Sequence, residues 1–290
     1  MKLDGRRESS NVEDRRRMSG GQAAGLGIGG ILIVGLITLL MGGDLGDVMQ
    51  TVQSVGGGIG TEQEVATGEF TPEEQALATF SKQILASTED VWSAYFKKHN
   101  LGTYRNPILV LYTGTTSTSC GTGQSAMGPF YCSADERLYI DLSFFSTMKR
   151  SLGADGDFAY AYVIAHEVGH HVQNLLGTLG SAHKQMSRMS SEQANRISVR
   201  LELQADFYAG VWGHYENSMF GSLDEGDLKE AIDCASVIGD DYLQKKSQGY
   251  AVEESFTHGT AAQRMRWLKK GLTTGDISQG DTFSVSDRNL

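Results

Sequence analysis

Five residues, His166-Glu167-Val168-Gly169-His170, constrain this chain more than any other feature, because their chemistry depends on their being helical. Residues four apart share one face of a helix. His166 and His170 can therefore aim both imidazoles at one cation, at the about 2.0–2.1 Å that zinc–nitrogen bonding requires. Glu167 lies about 60° around the helix from His170. That is too far round for a third ligand, but well placed to reach a water on the metal. Two ligands and one general base result. With 7 His in 290 residues, chance supplies this pattern roughly once in a hundred such chains. The alternative is an amphipathic helix carrying surface His and Glu. Its flanks argue otherwise: Phe158-Ala-Tyr-Ala-Tyr-Val-Ile-Ala165 precedes it, and Val172, Leu175 and Leu176 follow. Polar groups on so buried a helix need a task. Asp157 is the expected N-cap and Gly177 the expected stop.

A catalytic zinc takes three protein ligands and leaves a position for water. A third His in the pattern H-E-x-x-H-x-x-G-x-x-H is absent, since Gln173 and Leu176 occupy the two diagnostic positions. His171 lies about 140° around the helix from His166, and suits a polar contact on the flank. A Glu from a second helix is the other source. Ser191 to Tyr215 has Ile197, Leu201, Ala205, Tyr208, Val211, Trp212 and Tyr215 at three- and four-residue steps, a helical period. Within it, Glu202 can ligate, and Asp206 one turn on can hold the ring N–H of a ligating His. Ala205, Ala209 and Gly210 would let this helix approach the first closely. The competing reading makes Glu202 a solvated helix carboxylate.

Residues 21–43 carry no charge and are long enough to span a bilayer. Residues 1–20 hold Lys2, Arg6, Arg7, Arg15, Arg16 and Arg17 against Asp4, Glu8, Glu13 and Asp14. Lys/Arg excess keeps that side cytoplasmic, so the basic N-terminus is expected inside and residues 71–290 outside. A cleaved signal peptide is the rival, but no A-x-A-like site follows Met41. Gly21, Gly25 and Gly29 have the spacing of a weak membrane homodimer face. The net charge of −10 falls mostly on the exterior portion, which excludes nucleic-acid binding. Cys120 and Cys132 could close a disulfide in an oxidising exterior, or ligate metal, although eleven intervening residues make a poor zinc pattern. Cys234 is expected to be buried.

Residues 44–70 are expected to form a linker. Thr71-Pro-Glu-Glu74 opens a helix with a capping box, and Ser87 is expected to begin another through Trp92, Tyr95 and Phe96. Pro107–Tyr112 reads as a buried strand, and Phe130–Cys132 with Leu138–Asp141 as a hairpin. The fold class is α+β, dominated by helices around a small sheet. Thr260 and Gln263 form a further capping box. Ahead of it, His258 either stabilises an oxyanion at the cleft or ties down its own loop. His214 and His183, the latter placed in a polar loop, are expected to be structural or exposed.

The pentapeptide followed by Glu202-Leu-Gln-Ala-Asp206 resembles the zincin metallopeptidases with a glutamate third ligand. Further stretches resemble the bacterial putative neutral zinc metallopeptidase family. These are Gly5-Arg-Arg-Glu-Ser-Ser-Asn-Val-Glu-Asp-Arg-Arg16, Gly128-Pro-Phe-Tyr-Cys132, Tyr139-Ile-Asp-Leu-Ser-Phe-Phe145 and Thr257-His-Gly-Thr-Ala-Ala-Gln-Arg264, together with the single membrane segment. Phe207 departs from it, where many relatives have Cys. The resemblance implies a zincin-like domain holding one Zn²⁺ through His166, His170 and Glu202. Glu167 would be the base, and a peptide or protein the substrate. It also implies a strand edge beside the cleft, for which residues 137–142 are the candidate, although they would serve equally as an interior strand. A non-catalytic, zinc-stabilised envelope domain that binds a protein partner is the rival function.

Overall fold

The computed structural model describes residues 1–17 and 70–290. The expected anchor (21–43), its glycine face and all but the end of the expected linker lie outside the described residues. Among the described residues, no helix is long and apolar enough to cross a membrane.

Helix α1 (Pro72–His99) starts as its sequence dictates. Thr71 and Glu74 close a capping box, Pro72 occupies the first turn, and Lys97, Lys98 and His99 face the negative end of the dipole. It does not restart at Ser87, contrary to expectation. Ser87 is wholly buried, accepts from Trp212 Nε1 at 2.8 Å and donates to Glu216. Its hydroxyl serves a partner more than a hundred residues away, and one helix of 28 residues runs through it.

A four-stranded sheet follows, in the order β1 (Val12–Asp14), β2 (Ile108–Tyr112), β6 (Arg137–Asp141), β5 (Phe130–Cys132). β1, β2 and β6 are parallel, whereas β5 runs antiparallel to β6, so the expected hairpin is present. Leu109, Leu111, Leu138 and Ile140 face the main core beneath the helices, while Val110, Tyr112 and Tyr139 face a smaller cluster with Cys132. That is the period-two alternation of a sheet covered on both faces. β6 is interior, which corrects the assignment of residues 137–142 as a free edge; the edge strand there is β5. A separate hairpin joins β3 (Thr115–Thr118) to β4 (Gly121–Gln124).

Helices complete the fold: α2 (Ser143–Thr147), α3 (Asp157–Leu175), α4 (Thr178–Met186), α5 (Ser191–Phe220), α6 (Glu225–Val237), α7 (Asp240–Gln248) and α8 (Ala261–Thr274). Asp157 is the first residue of α3 rather than its cap. Gly156 holds the cap position at φ 115°, and the N–H of Phe158 is satisfied by Glu230 of α6 at 3.0 Å. Gly177, at φ 79°, does stop the helix. His183 lies on α4, not in a loop.

Helices α3 and α5 touch backbone to backbone. A methyl group at Gly169 would come within 2.8 Å of the Ala205 carbonyl oxygen and 3.1 Å of its Cα. α5 and α8 do the same where Gly210 meets Gly271. The first 17 residues belong to this body as well. β1 pairs with β2, and Arg6 reaches the fully buried Glu216 at 2.9 Å.

Candidate metal centre

The pentapeptide occupies the middle of α3, and His166 and Glu167 are buried. Glu202 faces it from α5. His166 Nε2 lies 3.1 Å from Glu202 Oε2, and His170 Nε2 lies 3.4 Å from Oε1. One ligand atom from each of the three residues falls within 4.8 Å of the others. Tetrahedral ligands at about 2.0–2.1 Å from zinc are about 3.3–3.4 Å apart, near the two His–Glu distances, and two imidazoles with a carboxylate are a donor set that zinc takes.

The hydrogen bonds behind the rings fix which nitrogen faces the cleft. Asp206 is fully buried and accepts from His166 Nδ1 at 2.7 Å. His170 Nδ1 lies 2.9 Å from Gln173 Oε1. Gln173 Nε2 is committed to the Leu201 carbonyl at 2.7 Å and to Gln204 at 3.1 Å. The amide oxygen must therefore face His170, which donates from Nδ1. Each Nδ1 is thereby committed to its own partner, which leaves Nε2 of both rings as the atom that faces Glu202 and that a metal would take in place of a proton.

Asp206 is itself held by charge. Arg264 of α8 donates to it from Nε at 2.8 Å and Nη2 at 2.9 Å, and Tyr162 Oη from 2.6 Å. Burial alone would raise the Asp206 pKa, but Arg264 and His166 outweigh it and hold the carboxylate well below its usual range. For His166, burial opposes protonation, while Asp206 and Glu202 prevail and push it up to about 10. Glu202 is lowered despite burial, chiefly by His170 and His258. Glu167 behaves in the opposite way. Burial raises its pKa, and its carboxyl has no hydrogen-bond partner among the described residues.

His166, His170 and Glu202 open on a cleft of about 570 Å³. Edge strand β5 forms one wall through Phe130 and Tyr131, with Met127, Gly128 and Phe144 beside it. Two devices fasten that wall. The Cys120–Cys132 disulfide ties β5 to the β3–β4 hairpin. Tyr131 Oη accepts from Asn174 at 3.1 Å and meets His171 Nδ1 at 2.9 Å. His171 Nε2 must donate to the Arg105 carbonyl at 2.6 Å, and burial lowers the ring's pKa, favouring the neutral form that receives the tyrosine proton at Nδ1. His171 is thus a flank contact, as its helical angle suggests.

His258 lines the opposite side of the cleft. Asp240 Oδ2 accepts the backbone N–H groups of Thr257, His258 and Gly259 at 2.7–2.9 Å. The loop is tied by Asp240, and the ring borders the cleft with Nδ1 3.0 Å from Thr257 Oγ1 and 3.3 Å from Asp240 Oδ1. Glu202 and Asp240 raise its pKa against the effect of burial. His183 also borders the cleft, His214 bonds the Leu272 carbonyl at 3.0 Å, and Cys234 is free and buried.

His166, Glu167, His170, Glu202, Asp206 and His258 therefore meet at one place. Arg264, Tyr162 and Gln173 complete it without having been singled out by the sequence. The one signal for Arg264 was that a buried acid behind a histidine needs a cation.

A family model described as "Putative neutral zinc metallopeptidase" matches residues 1–283. An uncharacterized protein of Escherichia coli strain K12, YpfJ, is 50% identical over 295 residues, covering 99% of this chain and all of that protein. An uncharacterized protein of Mycobacterium tuberculosis, Rv2575, is 40% identical over 211 residues, covering 69% of each chain. No solved structure matches this chain.

Proposed function

The chain belongs to the putative neutral zinc metallopeptidase family, and on that premise we propose that it is a zinc-dependent peptidase in which Glu167 is the general base. The observation that carries this reading is the contrast within the pentapeptide. Both imidazoles are aimed from behind at a common point, while the buried carboxyl between them is left without a partner.

When bound by His166, His170 and Glu202, zinc would polarise a scissile carbonyl and acidify water. Glu167, its proton affinity raised by burial, takes the proton of the attacking water and delivers it to the leaving amine. His258, whose proton affinity Glu202 and Asp240 raise, would donate to the developing oxyanion. Asp206 and Gln173 keep both ligand rings in their Nδ1–H tautomers. β5 pairs only with β6 among the described strands, so its outer edge is placed to receive an extended peptide by strand addition. The disulfide supports an oxidising compartment for the domain. A purely structural zinc site would want a fourth protein ligand, and the described residues group only three.

The test is metal analysis beside peptide-library cleavage on the full chain, with Glu202→Ala as the ligand variant. Wild-type protein is expected to hold one zinc and cut peptides, and Glu202→Ala to lose zinc. A wild-type chain that holds zinc yet cuts nothing would instead favour a partner-binding domain.

A further inference from the structure

We infer that residues 1–17 and 70–290 lie on the same side of any membrane that residues 21–43 enter. The described residues on either side of positions 18–69 meet at one spot: the guanidinium groups of Arg16 and Arg17 sit 3.8 and 4.7 Å over the ring of Phe70. A single crossing would separate those ends by a hydrocarbon layer of about 30 Å. An excursion from Arg17 to Phe70 therefore crosses a bilayer an even number of times, or not at all.

The contact is not a loose association that a translocating tail could forgo. Glu216 is wholly buried, and among the described residues the cation it pairs with is Arg6, at 2.9 and 3.4 Å. Glu89, also buried, accepts from Ser9 Oγ at 2.6 Å, Asn11 Nδ2 at 2.7 Å and Arg7 at 2.9 Å. Moving residues 1–17 across a membrane would leave both carboxylates uncompensated in the interior. It would also strip β1 from β2, opening the edge of the sheet.

The same contacts change the meaning of the basic N-terminus. Lys2 pairs with Asp224, Arg6 with Glu216, and Arg7 with Glu89 and Asp90, all in the folded body, whereas Arg15 and Arg16 pair within the tail, with Glu13 and Asp14. Three of the cations that argue for a cytoplasmic tail by their number are thus held by acids of the folded body. The topology with the N-terminus inside and the domain outside is thereby replaced by one with both in a single compartment. This inference does not depend on the peptidase reading.

Impermeant maleimide labelling of single cysteines in the full chain, in its native membrane, tests it. Cys234→Ala removes the free thiol. Ser10→Cys and Lys269→Cys, both at exposed positions, report the tail and the domain, and Asp4→Cys with Lys184→Cys repeats the comparison should either first variant misfold. Right-side-out spheroplasts and inverted vesicles are labelled separately. Tail and domain are expected to label in the same preparation and to be protected in the other. Labelling of the tail in one preparation and the domain in the other would overturn the inference, whether or not the protein cleaves peptides.

Discussion

The two halves of α5 both turn carboxylates inward, yet they use them for different ends. In the N-terminal half, Glu202 faces two imidazole nitrogens and an open cleft, while Asp206 one turn on is closed by Arg264, Tyr162 and His166. In the C-terminal half, Glu216 is closed on every side by Ser87, Ser222 and Arg6. A buried acid whose lone pairs are all taken holds the fold together. One left facing a cavity beside basic nitrogens retains capacity for a ligand or a proton. Burial alone does not separate these cases; saturation does.

The sharpest way to break that distinction is at Glu167, the buried acid whose carboxyl has no hydrogen-bond partner among the described residues. Glu167→Gln is expected to lower peptide hydrolysis by about 10²- to 10⁴-fold with zinc content unchanged, read by turnover beside metal analysis. Near-normal turnover would remove the base from the scheme. Next in size is Asp206→Asn, which leaves Arg264 buried without its anion. A loss of about 3–5 kcal/mol is expected in urea unfolding, together with weaker zinc retention because His166 loses its support. A variant that unfolds normally but loses only zinc would move Asp206 from the saturated class to the open one.

Arg6→Ala should cost less, on the order of 1–3 kcal/mol, since the Arg6 side chain is 20% exposed while Glu216 is not. Turnover per folded molecule is expected to stay unchanged, because neither Arg6 nor Glu216 lines the cleft. Lost turnover in protein that is still folded would erase the contrast between the halves. The smallest effect concerns His171, whose pKa burial lowers below its ordinary 6.5. The unfolded chain then binds the extra proton first, so this contribution is fully present above pH 6.5 and is lost as the pH falls below it. Urea midpoints from pH 7 to pH 5 should fall less steeply in His171→Gln than in wild type. Equal slopes would show that the ring is not held neutral.

How much of this was legible beforehand depended on distance along the chain. His166, Glu167 and His170 are readable as a group because helical geometry converts spacing into direction within one or two turns, as it does for Asp206 relative to Glu202. Glu202 itself, 36 residues from His166, rests on the period of its own helix and on the resemblance. The capping boxes at Thr71 and Thr260 and the β5–β6 hairpin are equally local. Ser87 misled because a serine's hydroxyl suits a cap by local rules, whereas here it answers Trp212 and Glu216. β1 was hidden because Val12-Glu13-Asp14 is too short to show alternation, and its charges read as a topological signal. β3 and β4 were missed because Thr115–Gln124 has no apolar residue apart from Cys120. Arg264 and Gln173 needed the third dimension, since each is defined by partners on another helix.

The close approach at Gly169 has a last consequence. Two of the five letters in the pentapeptide are conventionally free, yet here one of them sets the gauge of the whole centre. Because Gly169 rests on the backbone of Ala205, any side chain at that point would act as a shim between the helices. It would widen the gap between the imidazoles and Glu202 without altering a single donor atom. The bite of this centre is tuned by a missing methyl group.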